Sequence, residues 1–408
     1  MAAQFGGHTH RHHNHGHGVS TTKLVFLLMF VCLLLTALVA DAFWASSSSV
    51  SSAYRSVASI WVLEKPNSNK YVVPAPFDHN SSKEGEHGRV LSATFADLSA
   101  PELDWEQMDS APVPRLDGYS VQINDLLYVF VGYRNLDNVH SHIDVFNLSE
   151  NKWSDRFDTP REMANSHLGV ATDGRFVYIV SGQKGPQCRT AITLSYSLDT
   201  KTKQWSSLPR LPAPRYAPAT QLWRGRLHVM GGSKENRHTP GVEHWSIAVK
   251  DGRALEKEWR SEVPIPRGGP HRRVISCPNP THPSSNALEG KRCTSLGTFQ
   301  VVYGDVYMLD GSMKWQTLPL MPKPNSHIEC AWAVVNNSII IAGGTTEKHP
   351  NFQSWSVIGK LPYRVKTALV GYWDGWLYFT SGQRDRGPDN PQPQKVIGET
   401  WRTKLHLS

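Results

Sequence analysis

Three residues at matching positions of the chain could form a polar site. Asp117, His167 and Glu329 each lie 15 residues before a glycine that ends an apolar run. Carboxylates and imidazoles can hold polar ligands or exchange protons, so these positions predict a binding site if the fold brings them together. The same count from two other such glycines gives Ala217 and Thr367, a variety that ordinary sequence variation would also produce.

A basic group stands in the second half of the chain. Arg267, Arg272 and Arg273 form its densest part, in a protein with 43 Lys and Arg, 35 Asp and Glu and a net charge of +8. This balance favours an acidic partner such as an acidic polysaccharide, although most such groups are merely solvated. Because no dense Lys/Arg run with interleaved aromatic residues occurs, we expect no nucleic-acid partner.

The sequence contains none of the common catalytic motifs that we sought. It has no G-x-S-x-G, H-E-x-x-H or P-loop motif, and its five cysteines include no C-x-x-C pair. Histidines crowd residues 8–17, where a tract without fixed spacing could bind metal or be a plain polar tail. We therefore predict a protein that is not an enzyme and has no cofactor and no metal site.

The elements that would position these residues recur about every fifty residues. A tryptophan in a short polar segment marks the repeat: Trp105, Trp153, Trp205, Trp259, Trp315 and Trp355. Turns such as Asp173-Gly174 and Asp374-Gly375 connect two apolar strands before each strand-ending glycine. Each unit then holds four short antiparallel strands, which must stack on neighbouring units to bury both faces.

Double glycines and aromatic positions give the repeat a family resemblance. Gly231-Gly232, Gly343-Gly344, Tyr196 and the tryptophans match the marks of the kelch repeat. The layout resembles the plant single-pass membrane kelch proteins of the galactose oxidase/kelch superfamily. The resemblance implies an all-β, six-bladed kelch β-propeller over residues 98–408, behind one transmembrane helix. We predict that the Trp105 segment supplies the outer strand of the last blade, because this leaves no free edge.

Two units depart from the repeat pattern. The fourth lacks the glycine-ended strand, and the fifth has only 11 residues from Gly344 to Trp355, so one strand is missing. Either the ring is locally irregular or the sequence derives from an imperfect gene model. Cys277 and Cys293 bracket the insert of the fourth unit, and they could pair in an oxidising compartment or remain free thiols.

The N-terminal part contains an apolar run of membrane length. Residues 24–40 are uncharged and lie between Lys23 and Asp41, and Ala42-Phe43-Trp44 brings the run near the ~20 residues that a spanning helix needs. Basic residues flank its N-terminal side, which predicts a cytosolic His-rich tail (1–23) and a signal anchor (24–44). A flexible Ser/Pro-rich stalk (45–97) would follow. A cleaved signal peptide ending at Ala42 is the alternative.

Three N-x-[ST] sequons, at Asn80, Asn147 and Asn336, are predicted glycosylation sites of a lumenal domain. We expect a type II single-pass membrane protein of the Golgi or nearby endomembranes, whose propeller binds a lumenal protein or an acidic glycan. A sugar-active propeller enzyme and a cytosol-facing adaptor are the alternatives. The first needs convergent carboxylates or a metal set, and the second an F-box or BTB segment that the first 97 residues lack.

Overall fold

The computed structural model describes part of the chain: residues 55–63 and 100–406, apart from 136, 186–190, 235–238, 269–272, 277–284, 289–291, 294–299, 302–304, 319–324, 327–330, 336–337, 347–354 and 386–394. All these residues belong to one unit that runs from Ser52 to Ser408. Its regular structure, over the described ranges, is entirely β-strand. The predicted tail (1–23) and anchor (24–44) lie outside those ranges.

Two strands precede the repeats, and the first three repeats then form one antiparallel sheet each. The preceding strands are β1 (Arg55–Leu63) and β2 (Glu106–Met108). Sheet one contains β3 (Tyr119–Ile123), β4 (Leu126–Phe130), β5 (His142–Asn147) and β6 (Lys152–Asp158). Sheet two contains β7 (Gly169–Thr172), β8 (Phe176–Val180), β9 (Ser195–Asp199) and β10 (Gln204–Leu208). Sheet three contains β11 (Ala219–Trp223), β12 (Arg226–Met230), β13 (His244–Lys250), β14 (Arg253–Ala254) and β15 (Arg260–Ser261).

The fourth repeat also forms a four-stranded sheet, although its sequence lacks the glycine-ended strand. Its strands are β16 (Arg273–Ser276), β17 (Ser285–Leu288), β18 (Arg292–Cys293), β19 (Gln300–Val301), β20 (Val306–Leu309) and β21 (Trp315–Leu318). Sheet four has the order β16-β17-β20-β21, and β18 pairs with β19 separately. The insert between Cys277 and Cys293 therefore contains β17, the second strand of the sheet.

The strand that the fifth repeat lacks comes from far upstream. The local strands are β22 (Asn325–Ser326), β23 (Trp332–Val335), β24 (Ser338–Ala342), β25 (Thr345–Thr346) and β26 (Trp355–Lys366). Strand β1 lies between β24 and β26, where Ile60 pairs with Ala342 on one side and Gly359 on the other. The expectation of a continuous flexible stalk from residue 45 to 97 is therefore wrong for residues 55–63. Composition alone did not reveal that these nine residues complete a sheet.

Sheet six closes with a strand from before the first repeat. Its region contains β27 (Leu369–Trp373), β28 (Trp376–Thr380), β29 (Gln383–Arg384), β30 (Lys395–Val396) and β31 (Thr400–Lys404). The order is β27-β28-β31-β2, while β29 and β30 extend sheet five from β26. Glu106 pairs with Arg402 and Met108 with Thr400. The segment that follows Trp105 thus takes the outer position that the sequence predicts for it.

Turn geometry explains two of the sequence marks. In the hairpin between β11 and β12, Arg224 and Gly225 have φ of 51° and 72°, which is the left-handed pair that a tight hairpin requires. Gly132, which follows β4, has φ of 94°, and a Cβ there would lie 2.9 Å from the backbone nitrogen of Gly118. A side chain at this strand end would collide with the next pass of the backbone, so the position needs glycine.

Four of the repeated tryptophans join an outer strand to the preceding sheet. Trp205 lies in β10, the outer strand of sheet two. Its indole Nε1 donates to the carbonyl of Asp158, the last residue of β6 in sheet one, at 3.2 Å. The equivalent bonds run from Trp105 to Lys360, from Trp153 to Asp109 and from Trp259 to Pro209. One repeated residue therefore both covers apolar surface and satisfies a carbonyl of the adjacent sheet.

The first strands of the sheets lie side by side. Contacts link β27 with β3, β3 with β7, β7 with β11, β11 with β16, and β23 with β27. Five of these strands, β3, β7, β11, β23 and β27, line a cavity of about 460 Å³. The strand-starting residues stand at one end of this array, so the fold positions equivalent residues of successive repeats close together.

Candidate functional site

The predicted site positions share an unusual backbone conformation. Asp117, His167, Ala217 and Thr367 each stand two residues before a first strand and have φ of 51° or 52°. Residues other than glycine rarely adopt this left-handed backbone conformation. Its recurrence shows that the four residues are structurally equivalent. The His167 amide donates to the Asp117 carbonyl at 3.4 Å, and the Ala217 amide donates to the His167 carbonyl at 3.0 Å. Successive repeats are thus joined through the predicted positions themselves.

The side chain of His167 is held by two partners. Its Nε2 is hydrogen-bonded to the Tyr216 hydroxyl at 2.7 Å, and its Nδ1 to the Ser166 hydroxyl at 2.9 Å. The Ser166 hydroxyl also bonds the Tyr133 hydroxyl at 2.6 Å. The rings of His167 and Tyr216 stack with centroids 3.9 Å apart. Residues from three repeats therefore fix the orientation of one imidazole.

Asp117 brings a negative charge to the same cluster. Its Oδ2 lies 3.6 Å from His167 Nε2, and the two side chains are 8% and 3% exposed. Both groups are therefore almost entirely enclosed by the protein, and the Tyr216 hydroxyl bonds the same imidazole nitrogen. The arrangement suits recognition of a polar group by a rigid, preorganised acceptor.

Arg267, another predicted site residue, does not join this cluster. It bonds Asp305 Oδ2 at 2.8 Å, with its side chain 48% exposed. Arg273 lies in β16. Glu329 and Arg272 fall outside the described residues. Among the predicted site residues that the structure describes, it brings Asp117 and His167 together.

Sequence reasoning missed Tyr133, Ser166 and Tyr216. Ser166 and Tyr216 stand one residue before predicted positions, and Tyr133 follows the strand-ending Gly132. The bridges Ser166–Gln183 and Tyr216–Ser233 pair that preceding residue with the residue after the strand-ending glycine. Aligning the repeats on this bridge would have placed the hydroxyl groups next to the imidazole.

Comparison with known proteins identifies the family. The KLHDC2/KLHL20/DRC7 Kelch-repeats domain model matches residues 117–344. Kelch repeat-containing protein At3g27220 of Arabidopsis thaliana is 58% identical over 397 residues, which cover 89% of this chain and 92% of that protein. The chain belongs to the kelch-repeat family. The resemblance of the sequence to kelch repeats is therefore confirmed.

More distant relatives support the kelch fold. Human kelch repeat and BTB domain-containing protein 13 is 31% identical over 107 residues, 24% of this chain and 23% of the relative. The solved structure of YjhT superposes with a TM-score of 0.54 at 14% identity, covering 72% of this chain and 96% of that one. This chain is itself an all-β kelch-repeat propeller. Kelch repeats are generally protein-binding modules.

Two arginines that open kelch units are buried within their own sheets. Arg115 donates to the Val131 carbonyl and pairs with Asp144, and both side chains are at most 1% exposed. Burial alone would raise the pKa of Asp144, but hydrogen bonds from His142 and Arg156 and the charge of Arg115 hold that pKa well below its ordinary value. Arg215 pairs with Glu243 at 2.8 Å. These buried arginines serve as structural anchors rather than as a ring of anion ligands.

Only some of the predicted modification sites lie in the described part of the chain. Asn147 ends β5, where its Oδ1 accepts from the amides of Ser149 and Glu150. Asn80, Asn336 and Cys277 lie outside the described residues, and Cys293 is in β18. Within the described ranges no cluster of three or more His, Cys, Asp or Glu side chains could hold a metal ion. A search of those same ranges finds no helix long and apolar enough to span a membrane.

Proposed function

We propose that this kelch propeller is a membrane-anchored binding module that faces the lumen of the Golgi or nearby endomembranes. The observation that carries the binding role is the cluster of Asp117, His167 and Tyr216. Three successive repeats place different polar side chains there on one rigid frame, which is how a repeat fold acquires a specific surface. The partner would be a lumenal protein or an acidic glycan, the latter favoured by the net charge of +8.

The propeller would have six blades, one for each of sheets one to six. Contacts between neighbouring first strands and the indole bonds between neighbouring outer strands support this count. In such a ring, β1 and β2 complete the last two blades, so two segments that precede the first repeat are fixed to the end of the repeat region. A closed ring leaves only short sheet edges exposed.

The lumenal location rests on the apolar run of residues 24–44. The basic residue Lys23 precedes it and the acidic Asp41 stands near its end, a polarity that favours a cytosolic N-terminus. The sequons at Asn80, Asn147 and Asn336 and a Cys277–Cys293 disulfide would then lie in a compartment that permits both modifications. A cytosol-facing adaptor is the competing arrangement.

Glycosidase sensitivity tests this location. Full-length protein from its native cells should shift on a gel after glycosidase treatment, and the double variant Asn147→Gln, Asn336→Gln should lose much of that shift. The propeller should also resist protease in sealed vesicles. An unchanged band together with protease access would place the propeller in the cytosol and favour the adaptor.

Affinity purification from native membranes tests the binding face. Asp117→Asn and His167→Gln should both lose a partner that the wild type retains. Asp155→Asn is the control, because Asp155 is a solvent-exposed carboxylate of β6 that pairs only with Lys203. The same partners bound to all four proteins would argue against this cluster, provided that each variant unfolds at a temperature close to that of the wild type.

A further inference from the structure

An open groove lies between the outer strands of sheets two and three. These strands are β10 and β14, each the last strand of its sheet. The groove has a volume of about 550 Å³. Its lining includes Ser206 and Ser207 of sheet two and Arg253, Glu256 and Lys257 of sheet three. We call this feature the outer groove, and it is separate from the Asp117 cluster, which precedes the first strands.

The outer groove carries positive charge that the described part of the chain does not neutralise. Its one carboxylate, that of Glu256, is already held by Arg226, whose two guanidinium nitrogens donate to the two carboxylate oxygens at 2.9 and 2.8 Å. The side chains of Arg253 and Lys257 form no ion pair and no hydrogen bond with any residue that the structure describes. Leu255, beside them in the chain, is 65% exposed. Two available cations therefore stand next to an exposed apolar side chain.

The contact between sheets one and two shows which group the outer groove lacks. There, Lys203 stands two residues before a repeated tryptophan and pairs at 2.5 Å with Asp155, which stands two residues after the preceding one. Counted in the same way, Lys257 and Ser207 are the corresponding residues between sheets two and three. Both of them line the outer groove. A serine therefore replaces the carboxylate that neutralises the lysine one repeat earlier.

We propose that the outer groove binds an acidic, extended peptide segment of a partner protein. One carboxylate of the peptide would take the role that Asp155 has one repeat earlier and pair with Lys257, and a second would pair with Arg253. An apolar side chain of the peptide would pack on Leu255. Charge complementarity of this kind sets the choice of partner and the rate of encounter more than the affinity.

Two features favour a peptide over an acidic glycan as the occupant. Strand β10 pairs with β9 on one side only, so its other edge presents backbone groups to an extended chain. The described lining also contains no aromatic ring on which the face of a sugar could pack. The proposal depends neither on the Asp117 cluster nor on the compartment that holds the propeller.

Fluorescence polarisation with the full chain in an uncharged detergent tests the proposal. The probe is a labelled octapeptide of alternating glutamate and leucine, and the same peptide with glutamine in place of glutamate is its neutral counterpart. The acidic peptide should bind saturably and about tenfold more tightly than the neutral one, and added salt should weaken its binding. Polygalacturonate is the competing probe for a glycan.

Two variants of the outer groove test the assigned contacts. The double variant Arg253→Gln, Lys257→Gln should weaken binding of the acidic peptide about tenfold. Ser207→Asp supplies the carboxylate that the groove lacks, so the protein itself should neutralise Lys257 and binding should weaken about fivefold. Because all three positions are exposed, both variants should unfold at a temperature close to that of the wild type.

A control with the same loss of charge separates this site from a general electrostatic effect. Arg161→Gln together with Lys314→Gln removes two exposed cations outside the groove and should leave the Kd at the wild-type value. Equal affinity for the acidic and neutral peptides, an unchanged Kd in either groove variant, or an equal loss in the control would each overturn the proposal. Saturable binding of polygalacturonate without binding of the acidic peptide would also overturn it and assign the groove to a glycan.

Discussion

Sheets one to three and sheets five and six reach the same architecture by different routes. In the first group the four positions are filled by contiguous chain, from β3 to β6 in sheet one and from β7 to β10 in sheet two. In the second group, β1 and β2 are imported across more than 250 residues of chain. Local hairpins thus build the first group, whereas the second can be completed only after the whole repeat region is present.

The imported strands differ in position as well as in origin. Strand β2 is an outer strand with one partner, β31, whereas β1 lies inside its sheet between β24 and β26. An inner strand has both backbone edges paired, so its loss would leave β24 and β26 each with one unpaired edge. We therefore expect sheet five to depend more on its imported strand than sheet six does on β2.

The largest predicted effect is a proline in β1. Ile60→Pro removes an amide and the local strand geometry at a residue paired on both sides, and we expect a loss on the order of 5 kcal/mol or more, enough to open sheet five. Ser154→Pro is the matched change in a contiguous sheet. Ser154 lies at a register shift of the outer strand β6, so its loss should be much smaller. Urea denaturation measures the free energy of unfolding of both variants. Equal losses would mean that the protein depends on β1 no more than on β6.

The next effect concerns the buried charge of sheet one. Asp144→Ala leaves Arg115 buried without its counter-charge, which should destabilise the protein by about 3–5 kcal/mol. Asp155→Ala removes an exposed partner of Lys203 and should change stability by less than about 1 kcal/mol. Thermal unfolding of both variants measures the difference. Similar shifts in the two would show that the buried pair contributes no more than a surface pair.

A tyrosine joins the two composite sheets. The Tyr363 hydroxyl in β26 donates to Glu399 at 2.7 Å and accepts from the Trp401 indole in β31 at 3.1 Å. Burial, together with the hydrogen bond to Glu399, raises the pKa of Tyr363. This link is a neutral phenol, whereas Asp144 of sheet one belongs to a buried ion pair.

The repeat marks predicted the contiguous sheets well because their signals are local. Glycine at a left-handed turn and tryptophan at an outer strand each serve a role within fifty residues, so period and spacing reveal them. The pairing of Trp105's segment with the last repeat was also predictable, since this segment precedes the first repeat and has no repeat of its own. The role of β1 was not predictable, because no local feature of residues 55–63 states that their partners lie near residues 340 and 359.

The candidate site shows the same division between local and distant signals. Counting from the strand-ending glycines located Asp117 and His167 at equivalent backbone positions, which the shared φ near 52° explains. The count could not show that Tyr216 of the next repeat reaches across to the imidazole, because that contact depends on how adjacent sheets pack. The density of positive charge led the prediction to Arg267. The structure pairs that charge with Asp305, outside the cluster.

Acid should weaken the contiguous sheets through buried histidines. Burial lowers the pKa of His140 to about 4 and that of His228 to about 3, aided by the charge of Arg115 and by His244 respectively. Both histidines are neutral when folded, so their contribution is complete above the unfolded-state pKa of roughly 6.5 and is lost as pH falls from there toward 4 and 3.

Unfolding free energies at two pH values measure this effect. Between pH 7 and pH 5 the loss should be roughly 1–2 kcal/mol for each histidine, well before carboxylates such as Asp144 are protonated. His140→Gln should reduce the dependence on pH, whereas the exposed His406 provides a control substitution that should not. A wild-type slope in His140→Gln would contradict the assignment to this buried imidazole.

The smallest predicted effect lies at the junction between the two kinds of sheet. The Gln122 amide in β3 bonds both the carbonyl and the amide of Tyr372 in β27, and so links sheet one to sheet six where the chain returns to its start. Gln122→Ala leaves both Tyr372 groups unpaired and should cost about 1–2 kcal/mol. Gln221 in β11 bonds only the neighbouring Leu222 carbonyl, so Gln221→Ala should cost less. Hydrogen exchange should show faster opening of β27 in Gln122→Ala alone. Of the two glutamines, Gln122 is the one that links a contiguous sheet to a composite sheet. Equal exchange in both variants would mean that backbone packing, and not this amide, secures the junction.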